Sequence, residues 1–173
     1  MSEPPARLRV LMVCMGNICR SPTAEGVLRH KLRERGLDGH VEVDSAGTHG
    51  WHEGAPPDHR SQHHARRRGY DLSGLRARQL RPADYERFDL LLAMDWDNLA
   101  LLEEGCPPGA ARKLRRLMEF ARAADSPVVP DPYQGGPDDF DRVLDLVEDA
   151  CEGLIDHLAE MLAARRRRAP GTS

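Results

Sequence analysis

Residues 10–13 of this 173-residue chain are a continuous apolar run, the pattern of a strand buried on both faces. A polar, glycine-containing stretch follows. Ser21 and Pro22 then supply a hydroxyl able to cap a helix and a proline suited to the first helical position. Ala24, Val27, Leu28 and Leu32 mark one face of the helix beyond. The chain thus opens as strand, loop, helix. Residues 41–47 look like a second short strand running into a glycine turn, and residues 88–94 are a stronger buried strand. Around them the pattern predicts a polar helix over 57–68 stopped at Gly69, a helix over 96–104 stopped at Gly105, a helix over 110–124, and a last, very short strand at Val128 and Val129. The final helix is the clearest. After Pro137 and Asp138, apolar residues recur at helical spacing from Phe140 through Val143, Val147, Cys151, Leu154 and Leu158 to Leu162.

Alternating strands and helices favour an α/β fold, a parallel sheet covered on both faces, with ligands binding beyond the carboxyl ends of the strands. Cys14 lies at such an end. The length suits one domain, expected to have an ordered core over about residues 7–164 and a basic tail over 165–173. No repeat of 20–50 residues appears. Arg165 and the three arginines after it read as a solvated helix end favoured by the macrodipole.

Composition narrows the function classes. A net charge of only −3 announces neither a nucleic acid nor a membrane partner. Lys31 and Lys113 are the only lysines, which reads as coding bias. Cys14, Cys19, Cys106 and Cys151 are too few and too scattered for a disulfide scaffold, and no CxxC pair points to zinc. The reducing cytoplasm is the default compartment. Residues 1–9 lack an apolar export core, which leaves leaderless secretion open, and no run approaches the roughly 18 apolar residues of a membrane span.

The loop carries the chemistry. Cys14, Met15, Gly16, Asn17, Ile18, Cys19, Arg20 and Ser21 run from strand end to helix start. A loop that curls onto a helix N-terminus turns successive backbone N–H groups inward and makes a concave site for a tetrahedral dianion such as phosphate. Gly16 is expected to supply backbone freedom there. Arg20 would close the cup, because a planar guanidinium donates two parallel hydrogen bonds to two phosphoryl oxygens. The same positive field favours a thiolate at Cys14. The Ser21 hydroxyl is placed to stabilise that sulfur when it leaves.

Departure of a phenolate or alkoxide needs a proton, and the best donor is Asp131 in Asp131-Pro132-Tyr133. Pro132 biases Asp131 to an extended backbone, and Gly135 and Gly136 are expected to make the turn mobile. Tyr133 is suited to stack on an aromatic ring. His49, His52, His59, His63 and His64 fit no zinc spacing and are expected to be polar, partly exposed residues; no metal is expected.

Taken together, these blocks resemble the low-molecular-weight protein tyrosine phosphatase family from the first strand to the last helix. The segment from Val13 to Pro22 resembles the family's active-site loop. Asp44, Ser45, Gly47, Trp51 and His52 resemble its second strand and cleft wall. Ala77-Arg78-Gln79-Leu80, Met94-Asp95 and Asp131-Pro132-Tyr133 follow in the family's order. The resemblance implies a single-domain, three-layer fold with a four-stranded parallel sheet, acting on tyrosine-phosphorylated proteins without cofactor or metal, as a monomer or weak dimer.

In that family's scheme Cys14 is the nucleophile and Asp131 the acid and then the base. Arg20 and the loop from Met15 to Cys19 bind phosphate. Asn17, Ser21 and Ser45 support the loop, and Trp51 and Tyr133 wall the cleft. Ile18 matches tyrosine-directed members, where related arginine phosphatases carry threonine. The resemblance also suggests a reversible Cys14–Cys19 disulfide. Gln134 departs from the second tyrosine of many members. Two alternatives stay open: an arsenate reductase of the same fold, and a non-catalytic phosphoprotein-binding module.

Overall fold

In the computed structural model, which describes residues 7–168, the first apolar run is strand β1 (Leu8–Cys14) at the interior of a sheet. It pairs in parallel with β2 (Val41–Gly47) on one side and β3 (Leu90–Ala93) on the other. A short β4 (Leu114–Arg116) completes the order β2-β1-β3-β4, all parallel. Helix α1 (Arg20–Glu34) follows β1, α2 (His59–Arg67) and α3 (Asp84–Arg87) lie between β2 and β3, and α4 (Trp96–Glu104) follows β3. The long α5 (Pro137–Arg168) ends the described chain. The expectations about residues 1–6 and 169–173 lie outside the described residues.

The period-two alternation of β1 sorts its side chains between two layers. Val10, Met12 and Cys14 join a core with Val27 and Leu28 of α1 and Val147, Leu154 and Leu158 of α5. Leu11 and Val13 face Phe88, Leu91 and Leu102 on the α4 side. Burial on both faces explains why β1 and β3 read as continuous apolar runs. The apolar stripe of α5 packs on α1 and α2.

Three expectations are corrected. Residues 110–124 are not one helix: a 3-10 turn at Ala111–Lys113, strand β4 and a second 3-10 turn at Leu117–Phe120 share them. Ala110, Leu114, Leu117 and Met118 mimic helical spacing, but a three-residue edge strand is too short to show a period of its own. Val128 and Val129 form no strand. Val129 N–H donates to the Met94 carbonyl at 2.8 Å, a single bond off the end of β3. Finally, α1 begins at Arg20 with Cys19 at the N-cap and no side-chain cap. Ser21 therefore sits inside the first turn, its hydroxyl free for other use.

Candidate active site

Cys14 ends β1 and is buried, 3% exposed. The loop after it folds because its carbonyls find donors on its outer side. The Cys14, Met15 and Ile18 carbonyls accept from the N–H groups of Thr48, His49 and Asp58 at 2.8, 3.0 and 2.8 Å. The Cys19 carbonyl accepts from the Thr23 hydroxyl at 2.7 Å. The described chain has no cis peptide, so in each peptide the next N–H points away from its carbonyl. The amides of Met15, Gly16, Cys19 and Arg20 are thereby turned towards the cup. Asn17 N–H reaches Cys14 Sγ at 3.3 Å.

The residue in the left-handed region is Asn17, with φ of 60°, and not Gly16. Asparagine tolerates that conformation better than most side chains. Gly16 is needed for space instead, since a Cβ there would stand 3.0 Å from the His52 ring. Gly47 serves the same end: a Cβ would lie 2.7 Å from the Met15 carbonyl oxygen.

A relay of buried polar groups orders the hydrogens around the thiol. Glu25 accepts from the Ser45 hydroxyl at 2.7 Å and pairs with Arg29 at 2.7 Å. Ser45, having spent its proton, accepts from Asn17 Nδ2 at 2.9 Å. The same nitrogen donates to Ser21 Oγ at 2.8 Å. The Asn17 amide is oriented by Arg78 N–H, which donates to its Oδ1 at 3.0 Å. Ser21 Oγ lies 2.9 Å from Cys14 Sγ, and its proton is available to that sulfur whenever the sulfur carries a charge. Burial raises the Glu25 carboxyl above its ordinary range, with the Ser45 bond and Arg29 acting against it.

Arg20 is among the largest fully buried side chains of the described residues. Its Nη1 donates to Asp95 Oδ2 at 2.5 Å and to the Val129 carbonyl at 3.1 Å. Asp95 also caps α4, its Oδ1 accepting from Asn98 N–H at 2.7 Å. Burial works against the Arg20 charge, but Cys14, Asp95 and Asp131 outweigh it and raise the guanidinium's pKa. Arg20 Nη2 lies 3.9 Å from Asp131 Oδ2. Asp131 is exposed at the mouth, and its Oδ1 accepts from Tyr133 N–H at 3.0 Å.

Cys14, Arg20 and Asp131 line one cleft of about 230 Å³, walled by Ile18, Trp51 and Tyr133. Trp51 is 67% exposed and stacks on His49. His52 lines the cleft as well. Asn17, Ser21 and Ser45 lie behind the loop, not in the cleft, in the relay just described. The turn after Tyr133, expected to be mobile, holds two backbone-donated hydrogen bonds. Gly135 and Gly136 donate to the Pro132 carbonyl and to Asp139 Oδ2, both at 2.8 Å, and a Cβ on Gly135 would meet the Asp139 carboxylate.

Asp95, Arg78 and Glu25 went unassigned in the sequence. Asp95 had a local signal, an acid at an N-cap position just past a strand. Glu25 carried the weaker signal of an acid on the apolar side of α1. Arg78, which also pairs with the nearby Asp84 at 3.0 Å, carried none, because its pairing with Asp44 at 3.1 Å joins distant segments.

A buried cysteine under inward-turned amides, at the carboxyl end of an interior parallel strand, defines an α/β protein with a thiol-based oxyanion site. The comparisons with known proteins agree. The family model for low molecular weight phosphotyrosine protein phosphatase matches residues 9–164. The low molecular weight protein-tyrosine-phosphatase of Streptomyces coelicolor is 42% identical over 160 residues, covering 91% of this chain and 97% of its own. YfkJ of Bacillus subtilis, of the same description, is 39% identical over 148 residues, 86% of this chain and 94% of its own. A crystal structure of a protein tyrosine phosphatase from Entamoeba histolytica superposes with a TM-score of 0.87 at 40% identity, covering 88% of this chain and 97% of that one. The chain belongs to the low molecular weight protein tyrosine phosphatase family.

Proposed function

We propose that this protein hydrolyses phosphotyrosine in protein substrates, with Cys14 as nucleophile, Arg20 and the loop amides as phosphate binders, and Asp131 as acid and base. The observation that carries the proposal is the shared cleft of Cys14, Arg20 and Asp131, with the carboxylate at the mouth 3.9 Å from the guanidinium. A phosphate seated in the cup presents phosphorus to the sulfur and its ester oxygen to the mouth. Cys14 attacks in line while Asp131 protonates the departing tyrosyl oxygen. Asp131, now a carboxylate, takes a proton from water as that water attacks the phosphocysteine. The sulfur leaves towards the Ser21 proton. Arg20 and the amides hold the equatorial oxygens throughout. These steps use protein groups and water alone.

The aromatic and aliphatic walls, Trp51, Tyr133 and Ile18, favour a tyrosyl ring. A thiol relay of the arsenate reductase kind finds little support. Cys151 is fully buried, its thiol pushed up to about 12 by that burial, and Cys106 lines a different hollow beside Pro107 and Pro108. A binding module needs neither a thiol at the base of the cup nor an acid at its mouth. Cys14→Ser is expected to abolish p-nitrophenyl phosphate hydrolysis while keeping phosphotyrosine peptide binding. Unchanged turnover would overturn the mechanism, and good arsenate reduction with negligible aryl phosphate hydrolysis would overturn the function.

A further inference from the structure

At the opposite end of the sheet, a hollow of about 420 Å³ opens between the start of β3, the segment around β4 and the last turns of α5. Asp89 and Leu90 mark the amino end of β3, whereas Cys14 marks the carboxyl end of its parallel neighbour β1. Arg112, Lys113 and Arg115 come from one wall, Arg165 and Arg168 from another, and Asp89 is the one carboxylate in the lining. Such a gathering of cations is unexpected in a chain of net charge −3.

The nearby acids neutralise only part of it. Asp89 is committed to Arg165 and to Arg9 N–H, and Glu119 pairs with Arg115. Lys113 donates to the Tyr85 carbonyl at 2.7 Å and Arg112 to the Gly109 carbonyl at 2.6 Å. Among the described residues, Arg112, Lys113 and Arg168 pair with no carboxylate. His157, in the same lining, titrates below its ordinary value, through burial first and the Arg115 charge second.

We propose that this hollow binds a small oligophosphate, an anion carrying two or more linked phosphate groups. Guanidinium forks suit phosphate oxygens. Arg112 and Lys113 on one side and Arg168 on the other offer separate cations to a ligand with more than one phosphate. The site is concave with an apolar floor at Leu90 and Met161, which fits a compact ligand better than a flat surface. This site does not depend on the catalytic assignment above.

The probe is inorganic tripolyphosphate, titrated calorimetrically into the full chain with the catalytic cup saturated by benzylphosphonate, at about 0.15 M salt to screen weak surface attraction. One site is expected. The double variant Arg112→Glu/Arg168→Glu should bind at least tenfold more weakly, with p-nitrophenyl phosphate turnover and melting temperature unchanged. The His157 ring resonance should move on titration in the parent protein and stay still in the variant. ATP bound as tightly as tripolyphosphate would make the phosphate chain the recognised group. Tighter ATP binding would add a nucleoside on the apolar floor. No tripolyphosphate binding, or equal binding by the variant, overturns the proposal. So does capture of phosphatidylserine vesicles or an acidic peptide by a protein that ignores tripolyphosphate.

Discussion

Replacing Asp95 by asparagine separates two tasks that the carboxylate performs. Asn is as good an N-cap as Asp, so the bond from Asn98 N–H survives and α4 should keep its start. What is lost is the charge facing Arg20 at 2.5 Å. Removing one member of a buried pair costs about 3–5 kcal/mol. Asp95 is 24% exposed and Arg20 keeps the Val129 carbonyl, so about half that cost, ~2 kcal/mol, is the reasonable figure. If the pair positions Arg20 for phosphate, a similar amount should leave the transition state. The expected loss in kcat/KM is then roughly thirtyfold, since about 1.4 kcal/mol is a factor of ten. Steady-state hydrolysis of p-nitrophenyl phosphate and urea unfolding measure the two effects side by side. Asp95→Ala should lose about 1 kcal/mol more stability through the cap, with no matching further loss in rate. A kcat/KM for Asp95→Asn within twofold of the parent would refute the positioning role. A loss of stability with intact kinetics would make the pair purely structural.

Asp131→Asn should slow hydrolysis of phenyl phosphate by about 10²–10⁴, the range for a positioned general acid, and affect an ester with a better leaving group far less; equal losses across a leaving-group series would remove Asp131 from that role. Ser21→Ala should slow breakdown of the phosphocysteine more than its formation, visible as a larger pre-steady-state burst of p-nitrophenol; a proportional fall in both steps would count against it. The alkaline limb of stability offers another check. Cys151 has its thiol raised from 9.0 to about 12 by burial. Its contribution is therefore intact below the unfolded value and lost as pH climbs from 9 towards 12, by up to about 1.4 kcal/mol per pH unit. Urea unfolding of Cys151→Ala should start from a lower stability but fall less steeply between pH 9 and 10.5 than the parent, and parallel slopes would rule this account out.

How much of this was legible in the sequence depended on whether local pattern or distant contact decided each element. The strand ending at Cys14 and the helix over α5 were readable, because buried apolar runs and long apolar stripes state their own surroundings. The segment holding β4 was misread as helix, since three edge residues between two 3-10 turns carry no period and take their form from pairing with β3. The cap assigned to Ser21 failed for a related reason. A hydroxyl before proline is a good local cap, but a sulfur 2.9 Å away and the Asn17 amide claimed it. The candidate residues were legible as a set, whereas their supports, Asp95, Arg78 and Glu25, belong to pairs separated by 75, 34 and 20 positions from their partners Arg20, Asp44 and Ser45. No local signal encodes such pairs.

Sheet order explains why those distant partners converge on one loop. In the order β2-β1-β3-β4 the strand bearing Cys14 lies between the strands that follow it on either side. The chain leaves β1 for a neighbour on one side and later returns to a neighbour on the other, which opens a crevice at the carboxyl ends. The residues just past β2 and β3 at that end lie beside the Cys14 loop. Ser45 and Gly47 therefore back the loop from one side, while Asp95 reaches Arg20 from the other. Thr48 and His49, just past β2, supply the donors that hold the loop's carbonyls outward. The Val129 backbone lies against the end of β3 through Met94 and accepts from Arg20, which leaves Asp131 two residues away at the mouth. The short loop between β1 and α1 thus owes its inward amides to parallel topology as much as to its own sequence. The same loop on an edge strand would lack one of these two walls, and with it either the donors from beyond β2 or the carboxylate that holds Arg20.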